Sequence, residues 1–264
     1  SVNGRTLGAA AGVAAMLTVA WSFFKGGADK LLGMTREAAW RVHIVMGSFM
    51  MIFGLVHGVY MLVDYEVFNN VGWTLGLVGL VLVWLGVMPQ SAVQFGLLSY
   101  DKFKLFHMVS VAGYLLLIVH MLDHARVLQT AAAIAVAAGN VAVLAAFMVQ
   151  KGYVKLSASK ASVELAEVSS ESSGKHVWLH LNAPGFAFKA GQWGHLSIPS
   201  LSLVPHPFTL VPGDEPGKVK IFMRVTGKFT SGVAAAAQKG AAAMPSVKLE
   251  GPYGIPSVPS SSVD

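Results

Sequence analysis

The chain has no cysteine. That excludes disulfides, iron–sulfur clusters held by thiolates, thiolate zinc sites and haem attached through thioether bonds, and it leaves histidine as the main nitrogen ligand for a metal. Charge is nearly as scarce, at 12% of 264 residues, against 54% hydrophobic. So few charges cannot cover a soluble domain of this length, and at least part of the chain belongs in a bilayer. The sequence begins at Ser1 without a methionine, and no secretory signal pattern precedes its first apolar run. The formal charge of +6 calls for no nucleic-acid partner, because basic connectors beside apolar spans mark the cytoplasmic side of a membrane protein.

Long apolar runs are what the chain does have. Residues 7–24, 42–63, 71–93, 105–122 and 131–149 contain no Lys, Arg, Asp or Glu, and each is close to the ~20 residues of a spanning helix. The connectors set the orientation. Lys25, Lys30, Arg36 and Arg41, then Lys102 and Lys104, then Lys151, Lys155 and Lys160 fall on one side, with only Arg5 and Arg126 on the other. The positive-inside rule places the second half of the chain in the cytosol and residues 64–70 and 123–130 outside. Five spans put the N-terminus outside, so a sixth helix is expected ahead of Ser1. The fold class expected is a membrane α-helical bundle over 1–150, followed by a small antiparallel β-barrel over 151–255 and a linker or tail over 256–264.

Two of the apolar runs carry histidine pairs. His43 and His57 are 14 residues apart and His107 and His120 are 13 apart. Intramembrane histidines are costly and call for a function. Fourteen helical residues rise ~21 Å through nearly whole turns, so His43 and His57 share a face, whereas thirteen rise ~19.5 Å and leave the second pair roughly 140° out of phase. Either the second helix distorts, which Gly113 can permit, or its side chains reach differently. Both runs point the same way through the membrane, so depths match as His43 with His107 and His57 with His120. Each level can offer two imidazoles to opposite faces of a planar macrocycle, a six-coordinate arrangement suited to electron transfer. The plainer alternative is a hydrogen bond from each histidine to a neighbouring helix. Zinc or a proton relay fits less well, since the levels lie ~20 Å apart and neither has an intramembrane carboxylate.

After Gln150 the texture changes to Ser, Lys, Gly and Pro with short alternating runs at 177–181, 193–198 and 219–225, broken by turn signals at 182–185 and 212–217. Several short strands at this spacing point to a barrel or sandwich. One helix is expected within 230–239, capped by Thr230 or Ser231. His206, Pro207, Phe208, Thr209 and Leu210 follow a predicted strand, and Arg224 and Gly227 precede the helix. A glycine turn entering a helix can receive a diphosphate, with an arginine adding charge, although a strand, turn and cap produce the same pattern without a ligand.

Taken with the histidine pairs, these motifs resemble the ferric reductase and NADPH oxidase superfamily of transmembrane flavocytochromes b. The likeness rests on His43, His57, His107 and His120 as two bis-histidine haem b sites, and on Gly191 and Gln192 ahead of a barrel strand. It rests also on the His206 to Leu210 run as the flavin motif, on Arg224, Gly227, Thr230 and Ser231 at the flavin diphosphate, and on Glu250, Gly251, Pro252, Tyr253 and Gly254 closing the barrel. It implies FAD, with Phe208 at the flavin ring and Thr209 at the ribityl chain. The implied route runs from NADPH to FAD, to the haem at His43 and His107, to the haem at His57 and His120, and to an acceptor outside. The family continues into a glycine-rich nucleotide-binding domain, whereas this sequence stops at Asp264. NADPH is therefore expected to bind in a further domain or a partner subunit.

The acceptor implied is a ferric complex or oxygen. Oxygen-reducing members are expected to carry a histidine one turn beyond the outer ligand on the first histidine helix, where this chain has Met61. Trp40 and Arg41 before His43, Gly58 after His57 and Glu250 before Gly251 look more like the metal-reducing branch. Asp64 and Glu66 can attract a ferric complex outside. A ferric or other metal reductase is the preferred reading. Superoxide generation, a haem-bearing cytochrome b subunit and a cofactor-free channel or scaffold are the alternatives.

Overall fold

The structure, a computed structural model, describes residues 4–23, 36–64, 70–171 and 174–254. The chain divides into two compact units, with the change at Gln150 and Lys151.

The first unit is helical: α1 (Gly4–Phe23), α2 (Arg36–Asp64), α3 (Val71–Val87), a short α4 (Pro89–Gln94), α5 (Tyr100–Leu128) and α6 (Ala131–Ser157). Four stretches among the described residues are long and apolar enough to cross a membrane, Trp40–Val63, Val71–Val93, Tyr100–Leu128 and Ala131–Tyr153. The fifth expected run forms α1, 20 residues rich in Gly and Ala. Its Ala15 packs with Tyr114 and Ile118 of α5 and with Met50 and Leu144 of α2 and α6. In lipid there is little hydrophobic drive between helices, so close approach and hydrogen bonds must hold them. The α3 face toward α5 supplies the first, with Gly72, Gly76, Gly79, Val83 and Gly86 all buried. Asn140 of α6 supplies the second: fully buried, it donates to Gly12 O (3.1 Å) and Val136 O (2.8 Å) and accepts from the Tyr114 hydroxyl (2.7 Å).

Gly113 does not break its helix. α5 is continuous from Tyr100 to Leu128, and Gly113 instead lets α3 approach, since a Cβ there would lie 2.6 Å from Gly79 O. The side chains of the second histidine pair must therefore make up the phase difference. α6 also runs past the expected end at 149, taking Lys151 and Lys155 into the helix.

The second unit is β1 (Ser159–Glu171), β2 (Gly174–Asn182), β3 (Trp193–Ser197), β4 (His206–Thr209), β5 (Val211–Pro212), β6 (Lys218–Arg224), α7 (Lys228–Ala237), a 3-10 turn (Ala241–Ala243) and β7 (Val247–Tyr253). The strands form one sheet in the order β4-β3-β7-β1-β2-β6-β5, and every pairing is antiparallel. Its two end strands, β4 and β5, are consecutive in the chain and separated only by Leu210. The sheet must therefore curl until its ends meet, which makes it a barrel. Alternation fills the inside: Val177, Leu179 and Leu181 of β2, Val219, Ile221 and Met223 of β6, Leu210, and Phe229 and Val233 of α7 form one buried core.

The runs expected as strands at 177–181, 193–198 and 219–225 are β2, β3 and β6. The longest strand, β1, was not legible, because a register shift between Val163 and Leu165 interrupts its alternation. The barrel helix starts earlier than expected. Its N-cap is Gly227, not Thr230 or Ser231. Thr230 sits in the first turn and folds its hydroxyl back to accept from the Gly227 and Thr226 N–H groups (3.1 and 3.0 Å), so it closes the turn from inside the helix. Lys25, Lys30, Glu66 and the tail at 255–264 lie outside the described residues, as does the Asp64 side chain.

Candidate cofactor sites

The helical unit brings the four histidines together by level. The His43 and His107 ring centres lie 6.3 Å apart at 83°, and those of His57 and His120 lie 6.3 Å apart at 49°. Three of the rings are held through Nδ1: His43 to Thr18 O (3.0 Å), His57 to Gly4 O (2.8 Å) and His120 to Gly72 O (2.9 Å). A carbonyl oxygen only accepts, so each Nδ1 carries the proton and each Nε2 keeps its lone pair. This is the arrangement that fixes a histidine as a metal ligand. The hydrogen bond to a neighbouring helix and the ligand role, set against each other by the sequence, are thus compatible. His107 differs: its Nδ1 is buried without a partner in hydrogen-bond geometry, and its ring stacks on Phe103 at 5.4 Å.

The ring separation at each level, and the space at the outer one, suit a macrocycle held by two nitrogens. A metal takes an imidazole nitrogen at about 2 Å, so two rings on opposite sides of one metal have centres about 6 Å apart. Glycines keep the outer level open: a Cβ on Gly8 would lie 2.9 Å from the His57 ring, and one on Gly76 2.8 Å from the His120 ring. A cavity of about 440 Å³ opens there, lined by His57, His120, Gly54, Gly58, Leu80 and Met61 among others. Among the described residues no group of three His, Cys, Asp or Glu forms a metal-ion cluster. Each level therefore offers two nitrogen ligands and leaves the rest of a coordination shell to a macrocycle. The donor set at both levels and the room at the outer one fit a haem.

Sequence reasoning missed two residues at the outer cavity, His124 and Arg5. The His124 ring stacks on His120 at 6.0 Å. Its spacing of four residues from His120 was the available signal, because i and i+4 share a helix face.

In the barrel, His206, Pro207, Phe208 and Thr209 form β4, beside β3 with Thr209 opposite Trp193 and Phe208 opposite Gly194. The His206 ring stacks on Phe229 of α7 at 3.9 Å and 14°, and Phe208 lies over the same ring at 6.2 Å. The His206–Thr209 strand and the helix start are thus one assembly. Arg224 ends β6 opposite His176, exposed, three residues before the Gly227 cap. Thr230 is half-buried and Ser231 exposed. Gln192 joins three parts of this region. Its side chain accepts from Lys189 N (2.8 Å) and donates to Gly254 O (2.9 Å), and its carbonyl accepts from Leu210 N (2.8 Å). Tyr253, from the closing motif, packs on Trp193 at 4.6 Å. Burial, with the nearby Glu250 charge adding to it, pushes its hydroxyl up to about 12, so it is a neutral donor at neutral pH.

Residues 140–257 match the family model of an FAD-binding domain. Human Dual oxidase 2 is 28% identical over 188 residues, which cover 68% of this chain and 12% of that protein. Both matches agree with the resemblance to the ferric reductase and NADPH oxidase-like flavoproteins. The chain spans only a small part of the length of that relative. Among solved structures, a flavohemoglobin from Malassezia yamatoensis with bound FAD and heme is similar over 95% of this chain and 62% of its own, at 15% identity and a TM-score of 0.37. The matched residues take in the second unit, and the first unit has four stretches long and apolar enough to cross a membrane.

Proposed function

We propose that this protein moves electrons across a membrane, from FAD in a cytosolic barrel to a one-electron acceptor on the other side, with two b haems in the helical unit as the relay. The observation that carries this reading is the paired geometry of the histidines, two levels of two rings with the same 6.3 Å separation. His43 and His107 would hold the inner haem, and His57 and His120 the outer one. When bound, FAD accepts two electrons and releases them singly, and bis-histidine haems pass them on without binding a ligand at the iron.

The residues of the chain do the rest. Thr18, Gly4 and Gly72 orient the imidazoles through their carbonyls, and the glycines at 8 and 76 leave room at the rings. In the barrel, Phe208 and Thr209 would meet the flavin ring and ribityl chain, with His206 and Pro207 setting the strand. Arg224, Gly227, Thr230 and Ser231 would meet the diphosphate. Reducing equivalents would come from NADPH or NADH held by a nucleotide-binding domain or a partner subunit. Crossing the bilayer moves charge, so a compensating proton or cation flow is expected.

A ferric complex is the preferred acceptor. Met61, not a histidine, lines the outer cavity one turn beyond His57. Reduction of oxygen to superoxide is the second reading, favoured by the similarity to human Dual oxidase 2. The test is reconstitution of the full-length protein in sealed vesicles with the donor on one side. Ferric-chelate reduction on the opposite side, lost in His57→Ala, is expected. Superoxide as the main product would move the assignment to the second reading, and no product across the membrane from haem-loaded protein would end both.

A further inference from the structure

The helical unit holds a second concavity that the cofactors do not use. On the outer half of the α2 and α3 pair lies a groove of about 390 Å³ whose wall is wholly apolar, with Leu55, Val59, Val81 and Leu85 along it. These four are 45%, 51%, 48% and 57% exposed, and they sit on two of the helices suited to crossing a membrane, so the groove faces lipid. Gly58, Leu62, Leu77 and Leu80 line both this groove and the cavity around His57 and His120. The partition is therefore about one side chain thick. A Cβ on Gly54 would lie 3.0 Å from Leu80 Cδ1, and one on Gly58 3.1 Å from Leu80 Cδ2. Leu80 fills a notch made by two glycines one turn apart.

We infer that this groove is a lateral entry for dioxygen from the bilayer, with Leu80 as the gate to the outer cavity. The inference rests on the outer cavity being the cofactor site and on dioxygen being an acceptor there, the second of the two readings. An ion or ferric complex entering a groove with no exposed polar atom would lose its hydration and regain nothing. Dioxygen is uncharged, dissolves in hydrocarbon and loses nothing. Leucine rotamer changes are fast enough to pass a small molecule. At the far end dioxygen accepts one electron and becomes superoxide, and its donor is oxidised by one unit. No proton is consumed and no bond to the protein forms. The product is an anion, so the apolar groove bars its return, and it leaves past Arg5 and His124, which line the same cavity. The two candidate acceptors therefore use different entrances, a ferric complex from water and dioxygen from lipid.

Two readouts test this on the full-length protein. Crystals pressurised with xenon, an apolar probe that enters dry cavities, should show xenon in the groove beside Leu80 in the wild type and lose it in Leu80→Phe. Xenon absent from the wild-type groove overturns the proposal whatever cofactor is bound. In nanodiscs, reoxidation of reduced protein by dioxygen is compared with reoxidation by ferricyanide in water. Leu80→Phe should lower the ratio of the two rates about fivefold and Leu80→Ala should raise it, a change of about 1 kcal/mol in the barrier to entry. A ratio unchanged in both variants overturns the gate. Protein without haem would fail the cofactor reading instead, and the xenon result would still stand for the groove.

Discussion

The two units carry their chemistry in opposite ways. In the helical unit a single residue type at two spacings is the whole signal, because a polar side chain in hydrocarbon is expensive and needs a reason. In the barrel no residue stands out. Phe208, Arg224 and Gly227 are each ordinary in a soluble fold, and only their order gives them meaning. The same difference governs tolerance. The histidine levels depend on absent side chains as much as on present ones, since Gly8 and Gly76 face the rings. The barrel depends on a polar clamp, Gln192, which holds three segments at once.

The largest effect is expected where carbon is added without touching a ligand. Gly76→Leu places atoms where a Cβ alone would lie 2.8 Å from His120, and we expect loss of the outer haem with flavin retained, read from the haem-to-flavin ratio in visible spectra. An unchanged ratio would show that the outer level does not hold the group. On the barrel side, Phe208→Ala and Arg224→Ala should each weaken FAD binding about tenfold, or ~1.4 kcal/mol, by flavin fluorescence titration, with haem content unaffected. Gln192→Ala leaves the Lys189 N–H and the Gly254 carbonyl unpaired. It should lower barrel stability by about 1–3 kcal/mol, visible as a lower midpoint for flavin release on heating. In the bundle, Asn140→Leu removes a buried polar knot and should cost about 1 kcal/mol, the usual scale for interhelical hydrogen bonds in membranes, as an earlier unfolding transition in detergent.

The smallest effect concerns Tyr253. Its phenol is held neutral in the fold, so the stability it contributes is complete below the ordinary tyrosine range near 10 and is lost as pH rises through about 12. Flavin release against pH should therefore steepen in that window, and Tyr253→Phe should flatten it.

Much of this was legible in the sequence, and the exceptions have physical causes. Runs without charge marked the helices, and the 14- and 13-residue spacings of the histidines anticipated which would meet. Of the two ways to absorb the phase mismatch, the continuous helix leaves side-chain reach, and Gly113 serves helix packing instead of a break. His124 escaped notice because it lies just past the charge-free run, beyond Asp123. β1 was hidden by its register shift, and the start of α7 by a threonine that acts from within the helix. Barrel closure through Leu210 is a matter of topology that local pattern does not carry.

Each level of paired histidines is proposed to hold one haem. The most direct test is quantitation of haem b per chain by the pyridine haemochrome spectrum in the full-length protein and in the two pair variants, His43→Ala with His107→Ala and His57→Ala with His120→Ala. Two haems are expected in the wild type and one in each pair variant, with different reduction potentials for the haem that remains. Absence of haem in the wild type, or a content that neither variant changes, would contradict it.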